Sequence, residues 1–381
     1  MEKLFDEINR LEEEFKKVWI DVANIESPTE YKEGVDKVGE YFLSFANDMG
    51  WQCEVVNREK SGNSVCITMN ADSKKAPITL SGHIDTVHPV GSFGTPAVRT
   101  EGDIIYGPGV TDCKGGTVAA LYAMTALKNI GFTDRPIRLL LQTDEEVNSL
   151  LSGKETIKYI CEKAADSVAF LNCESTRGNT AVLWRKGISR FRFDIKGKSI
   201  HASRCAEGGA SAITEAAHKI IELEKQKDGN GLTCNCGLIN GGTAANTVPD
   251  SCSFYAEIRF NNMEEKERGE AIIKAVAERS FIEGTECNLL KVTSRPAMEK
   301  ADRNFALLDR LNEIYKECGL PTLTARQSLG GSDAAEVTAS GIPCIDSIGV
   351  AGDKIHTPDE YGRLSSLAEA ARRIATACYY I

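Results

Sequence analysis

The chain has 381 residues, which at roughly 150 per domain suggests about two domains, and its 42% hydrophobic and 26% charged residues exclude a disordered chain. Lys and Arg total 45 against 55 Asp and Glu, a net charge of −10, so nothing in the charge balance would hold a phosphate backbone and no nucleic-acid partner is expected. The first residues are acidic and helix-periodic, and no apolar run approaches the ~18 residues of a membrane span, so no membrane partner is expected either.

Taken in chain order, Leu4, Ile8, Leu11, Phe15, Val18 and Val22 fall on one stripe of a first helix that ends before the SPTEY turn. A second helix, VDKVGEYFLSFANDMG, closes on Gly50. Apolar and helical runs then alternate: APITLSGHIDTV, TVAALYAMTALKNIG, RPIRLLLQTDEE, GKETIKYICEKA and SVAFLNCES. Short continuous apolar strands separated by helices of ten or more residues predict an α/β fold with a mostly parallel sheet flanked by helices.

From Trp184 the pattern changes. ISRFRFDIKGK alternates with period two, and the order that follows, β-α-β-β-α-β, is the ferredoxin-like split motif. It predicts an α+β domain over 184–296, inserted between two parts of the larger domain, 1–183 and 297–381. The larger domain resumes with helix ALLDRLNEIYKECG, strand IPCIDSIGV and helix LSSLAEAARRIATACYY. Thirteen scattered cysteines, with Cys234 and Cys236 the only close pair, argue against a disulfide scaffold or a thiolate zinc site and for a reducing, cytoplasmic setting.

Five histidines allow each to be weighed. His83 ends the run APITLSGH, and Asp85 two residues on projects to the same face of an extended chain. The pair fits a metal-bound imidazole with its supporting carboxylate, or a hydrogen-bonded strand end. Asp112 lies in YGPGVTDCKGG, where Gly107, Gly109, Gly115 and Gly116 permit tight turns before a helix. A phosphate cradle, a loop that aims a carboxylate and a plain N-cap compete there, and the lack of GxxxxGK[ST] or GxGxxG weakens the first. Asp144, Glu145 and Glu146 follow IRLLLQ; such a triplet is a solvated turn, or it needs water or cations to offset its repulsion. Glu174 follows SVAFLNC, and His356 follows IPCIDSIGV after a short loop. His88 reads as structural, and His218, on the run ITEAAHKIIELE, as a surface or interface residue.

Apolar strands that each end in His or carboxylate place those groups where open parallel sheets build their sites. Nitrogen and oxygen donors favour two divalent ions, zinc before cobalt or manganese. Their four positive charges match Asp112, Glu146, Glu174 and a bridging hydroxide, which leaves Glu145 over.

SGHIDTV, YGPGVTDCKGG, TDEE, the Glu174 strand end, KGKSIHAS, NGGTAANTVPD, GGSDA and IHTPDEY stand in an order and spacing that resembles the co-catalytic zinc exopeptidases. That family includes glutamate carboxypeptidase of the carboxypeptidase G type, aminoacylase, acetylornithine deacetylase and succinyl-diaminopimelate desuccinylase, and the resemblance covers nearly the whole chain. It implies hydrolysis of a peptide or N-acyl amide bond beside a C-terminal amino acid with a free carboxylate. It implies that Asp112 bridges both metals, His83 and Glu174 complete one site, and Glu146 and His356 the other. Asp85 would support His83, and Glu145 would be the general base. The inserted domain resembles a lid or dimerisation domain whose His201 reaches the partner's site in a homodimer. Asn246, Arg259 and the Gly330, Gly331 and Ser332 loop would contact substrate, Arg259 by its bidentate fork. Cys113 departs from the family, where Met or Asp is usual, and Ser203 with Arg204 departs beside His201.

Overall fold

The stripe from Leu4 to Val22 is buried along one face of the helix Glu2–Asn24 in the computed structural model, which describes residues 1–228 and 231–381. Trp19 of that helix is fully buried and donates its indole N–H to Val110 O at 3.0 Å, which ties the first helix to the loop carrying Asp112. Contacts divide the chain into two units, Met1–Trp184 with Lys300–Gln327 and Ser332–Ile381, and Arg185–Glu299 with Ser328–Gly331.

Among the described residues the first unit is built on an eight-stranded sheet. Its order is Gln52–Val56, Ser64–Met69, Ile137–Gln142, Ile78–His83, Ala169–Asn172, Cys344–Asp346, Thr180–Arg185, Thr324–Ser328. The four strands from Ile137–Gln142 to Cys344–Asp346 run parallel, while Ser64–Met69 and Thr180–Arg185 flank them antiparallel. These parallel strands read as unbroken apolar runs because helices cover them, and nearly every residue in them is buried. The helices Glu2–Asn24, Lys114–Asn129 and Ser365–Tyr380 pack on one another as part of that cover.

One close approach matters for the site. A Cβ built on Gly116, in the first turn of the helix Lys114–Asn129, would lie 1.7 Å from Cys173 O, and one on Gly115 would lie 2.6 Å from the Trp19 ring. Only glycine lets the start of this helix touch the end of the strand Ala169–Asn172. Asp112 and Glu174 are brought together by that contact.

The second unit carries a four-stranded antiparallel sheet in the order Thr233–Gly241, Ser251–Phe260, Gly187–Lys196, Glu286–Arg295, the ferredoxin-like arrangement. Phe191, Phe193 and Ile195 alternate inward from the central strand into a core of their own. Helix Ala212–Glu224 begins on Ser211, whose hydroxyl accepts from Thr214 N at 3.1 Å. Helix Met263–Glu278 begins on Asn262, whose Oδ1 accepts from Glu265 N at 2.9 Å. The fold is thus α/β with an inserted ferredoxin-like domain, as the alternation of runs implies. No helix among the described residues is long and apolar enough to cross a membrane.

Replacing Gly116 with Ala overpacks this junction, and the expected loss of stability is about 1–3 kcal/mol. Urea denaturation of the metal-free protein measures it; an unchanged midpoint would show that the helix can shift without cost.

Candidate metal centre

Side chains leaving the carboxyl ends of adjacent parallel strands meet in front of the sheet. Here Ile137–Gln142, Ile78–His83 and Ala169–Asn172 lie side by side and deliver Glu145 and Glu146, His83 and Asp85, and Glu174 respectively. His83 Nε2 lies 3.0 Å from Asp112 Oδ1 and 3.8 Å from Glu174 Oε1. His356 Nε2 lies 3.1 Å from Asp112 Oδ2 and 3.2 Å from Glu146 Oε2. Each oxygen of Asp112 therefore faces a different imidazole, and each imidazole also meets a second carboxylate.

Asp112 precedes Cys113, the N-cap residue of the helix Lys114–Asn129, and no side chain caps that helix. Of the three readings of this loop, the one that fits is a loop aiming a carboxylate into a site. The acidic triplet separates by role. Asp144 is fully buried and accepts from Thr156 Oγ1 at 2.5 Å and Ser152 N at 2.9 Å, which closes the turn. Glu145 is half-buried, whereas the Glu146 side chain is only 6% exposed. Asp85, also fully buried, holds them from behind: its two oxygens accept from Glu145 N and Glu146 N, each at 3.2 Å, and Thr29 Oγ1 donates to Oδ2 at 2.8 Å. His83 Nδ1 lies 3.0 Å from the Asp85 carbonyl and 3.4 Å from its Oδ1, so the ring is held with Nε2 facing Asp112.

So many acids in one buried place alter one another. Burial, then repulsion from Asp112, raises the Glu174 carboxyl well above its ordinary range. Burial also pushes Glu146 up to about 7. The hydrogen bond to Asp112 raises His356 to about 10, with Glu146 contributing. Burial opposes the ionisation of Asp112, yet its bonds to His356 and His83 hold it below the usual carboxylate range. In the metal-free protein, protons on the imidazoles and glutamates stand in for missing positive charge. The donor set fits a pair of divalent cations: two imidazoles, a central carboxylate with both oxygens engaged, and one outer carboxylate for each imidazole. Cys113 Sγ also lies with His83 and Glu174 in a group of donor atoms within 4.8 Å of one another, and it donates to Cys173 O at 3.4 Å.

The remaining candidates sit mostly in the second unit. His201 is exposed, with Nδ1 2.8 Å from Ser203 Oγ, and Ala202 N donates to Asn246 O at 2.8 Å, which joins the two segments. Arg259 donates from Nε to Glu257 at 2.8 Å and from Nη1 to Leu329 O at 2.6 Å. Arg185 Nη1 donates to the carbonyls of Gly330 and Gly331, at 3.1 and 3.2 Å. In the first unit, Ser332 is fully buried and its hydroxyl accepts from Asn172 Nδ2 at 3.0 Å, so it anchors its loop. His218 stacks on Phe281, ring centroids 5.4 Å apart. Sequence reasoning misses two residues of the centre's surroundings: Thr29, in the SPTEY turn, lies beneath Asp85, and Glu360, in the IHTPDEY run, lies beneath Asp112.

Imidazoles and carboxylates gathered at the strand ends of such a sheet define a metallohydrolase-type centre. The model of peptidase family M20/M25/M40 matches residues 79–379. Carboxypeptidase G2 of a Pseudomonas species (strain RS-16) is 28% identical over 354 residues, 91% of this chain and 84% of that protein. Succinyl-diaminopimelate desuccinylase of Rickettsia bellii (strain OSU 85-389) is 24% identical over 361 residues, 86% of this chain and 87% of that protein. The crystal structure of a tripeptidase from Staphylococcus aureus superposes with a TM-score of 0.80 at 22% identity, covering 97% of this chain and 98% of that one, and shows the fold. The chain belongs to peptidase family M20/M25/M40 and is a metal-dependent enzyme of the exopeptidase and amidohydrolase class.

Ligation requires the protons on His356 and Glu146 to leave, so protonation competes with metal and affinity rises with pH. Metal uptake at pH 7 is expected to release more than one proton per chain, drawn from His356, His83 and Glu174, whose pKa values are all raised, and in part from Glu146, raised to about 7. Titration calorimetry in buffers of different ionisation enthalpy counts them; a heat independent of buffer would contradict this charge assignment.

Proposed function

We propose that the chain hydrolyses a peptide or N-acyl amide bond beside a C-terminal amino acid with a free carboxylate, using two divalent ions, zinc before cobalt or manganese. His83 and Glu174 would hold one ion and Glu146 with His356 the other, Asp112 being shared. The observation that carries this reading is the Asp112 carboxylate with one imidazole on each oxygen and an outer carboxylate beyond each imidazole. Ions bound there would supply Lewis acidity, lowering the pKa of a shared water toward ~7 and polarising the scissile carbonyl.

Glu145, next to Glu146 and surplus to the two donor sets, takes the proton of the attacking water and passes it to the leaving nitrogen. Asp85 orients His83 and fixes the backbone of Glu145 and Glu146. Arg259, held by Glu257 and the Leu329 carbonyl, would offer its remaining guanidinium N–H groups to the substrate carboxylate. Asn246 and the backbone of Gly330 and Gly331, with Ser332 anchoring their loop, complete the grip on substrate. The similarity to carboxypeptidase G2 supports a C-terminal residue such as glutamate, and the similarity to a desuccinylase supports deacylation of an N-acyl amino acid as the second reading. The inserted domain pairs two chains in a homodimer, and His201 of one donates to the developing oxyanion in the other. Thirteen free thiols support a reducing, cytoplasmic setting.

Replacing Glu145 with Gln should leave two ions bound while turnover of an N-acyl-glutamate falls by about 10²–10⁴-fold; near-normal turnover would reject the base assignment. Mixing inactive Glu145→Gln with inactive His201→Ala chains should restore part of the activity through hybrid dimers. Subunit exchange without recovery would mean that His201 does not act across an interface.

A further inference from the structure

Glu360 is fully buried, and its carboxylate is surrounded by donors from segments far apart in sequence. Oε1 accepts from Thr111 N at 2.9 Å and Asp112 N at 3.0 Å. Oε2 accepts from Gly109 N at 3.2 Å and lies 2.7 Å from His88 Nε2. His88 is itself 6% exposed and meets the Phe93 ring edge-on, centroids 4.9 Å apart. With three backbone N–H groups directed at the carboxylate, the fourth partner is also a donor, so His88 carries its proton on Nε2.

The position of this carboxylate gives it consequence. Glu360 closes the turn that begins at His356: its N–H donates to Thr357 O at 3.1 Å, and Thr357 donates from N and Oγ1 to Lys354 O at 3.2 and 2.7 Å. Its own carbonyl accepts from Gly107 N at 3.4 Å, and the neighbouring Tyr361 carbonyl accepts from Thr111 Oγ1 at 2.6 Å. One side chain therefore joins the loop of Asp112, the turn of His356 and, through His88, the segment leaving His83. His356 needs such a tie. Its side chain is 52% exposed and its φ is +62°, whereas His83 is 1% exposed and held at the end of a strand.

We propose that Glu360, held by His88, is the positioning residue of the Asp112, Glu146 and His356 site: it sets where the second oxygen of Asp112 stands relative to His356, and the His83 and Glu174 site depends on it far less. This rests on the two-ion reading above. Neither residue touches the reacting atoms, and their effect passes through the backbone of Asp112 and the turn of His356.

The experiment is a calorimetric titration of the metal-free full chain with Zn²⁺, repeated with Co²⁺ while its visible absorption is recorded. Glu360→Gln keeps the size of the side chain but replaces one accepting oxygen with an amide NH₂ that faces donors. It is expected to weaken one of two ions by about 10–100-fold, the usual effect of losing a residue that supports a ligand, and to leave the other within about threefold. His88→Leu, which removes only the donor, is expected to do the same to a lesser degree, and His88→Gln, which restores an N–H, to recover most of the loss. Recovery by His88→Gln is a response that loss of packing alone would not give. Should Glu360→Gln fail to fold, the two His88 variants decide by themselves. Two ions weakened equally, no change in either, or no recovery by His88→Gln would overturn the proposal while leaving the two-ion centre standing. A wild-type chain that takes up no divalent ion would overturn both.

Discussion

The constraint on which the structure turns is the burial of like charges around Asp112. Asp112, Glu146 and Glu174 converge with two imidazoles in a place that is poor in water, and burial drives the two glutamates toward their protonated forms. A protein gains no stability from packing acids together. Cations between the donors would relieve that repulsion, and a charged His356, its pKa raised to about 10 by its hydrogen bonds to Asp112 and Glu146, is the counter-charge the chain itself supplies. Ordering of the centre and its affinity for metal are thus two aspects of one electrostatic balance.

The fold serves this balance by rigid placement. Three adjacent parallel strands end within two residues of one another in register, so groups remote in sequence arrive at one spot without a long loop between them. Gly116 lets a helix start against the Cys173 carbonyl, which sets the distance from Asp112 to Glu174. Asp85 then fixes two backbone N–H groups of the acidic turn and one imidazole, and Glu360 fixes the backbone of Asp112 from the opposite side. Asp85 and Glu360, the buried carboxylates that hold the segments of His83, Glu146, Asp112 and His356, are not themselves among the donors. Charge on these supporting groups is offset by backbone N–H dipoles, which leaves the donors facing the centre free for a cation.

Much of this is legible in the sequence because it is periodic or local. The stripe from Leu4 to Val22, the apolar strands and the alternation of ISRFRFDIKGK follow from side-chain spacing alone; the positions of His83, Glu146 and Glu174 at or just beyond strand ends follow from the strands, and that of Asp112 before a helix from the glycine-rich run around it. What escapes is long-range. As a run of acids Asp144, Glu145 and Glu146 are alike; Thr156 and Ser152 at Asp144, Asp85 behind the two glutamates and His356 at Glu146 give them different surroundings. Glu360 meets Asp112 N across 248 positions and His88 across 272, and no local spacing encodes such a pairing. Cys113, whose place beside Asp112 is local, meets the donor atoms of His83 and Glu174 only through the fold.

The central claim is that Asp112 holds two cations at once. Crystals grown with saturating Zn²⁺ and measured on both sides of the zinc absorption edge test it most directly. Two anomalous peaks per chain are expected, one beside Asp112 Oδ1 and His83 Nε2 and the other beside Asp112 Oδ2 and His356 Nε2. A single peak, or none beside Asp112, would contradict it.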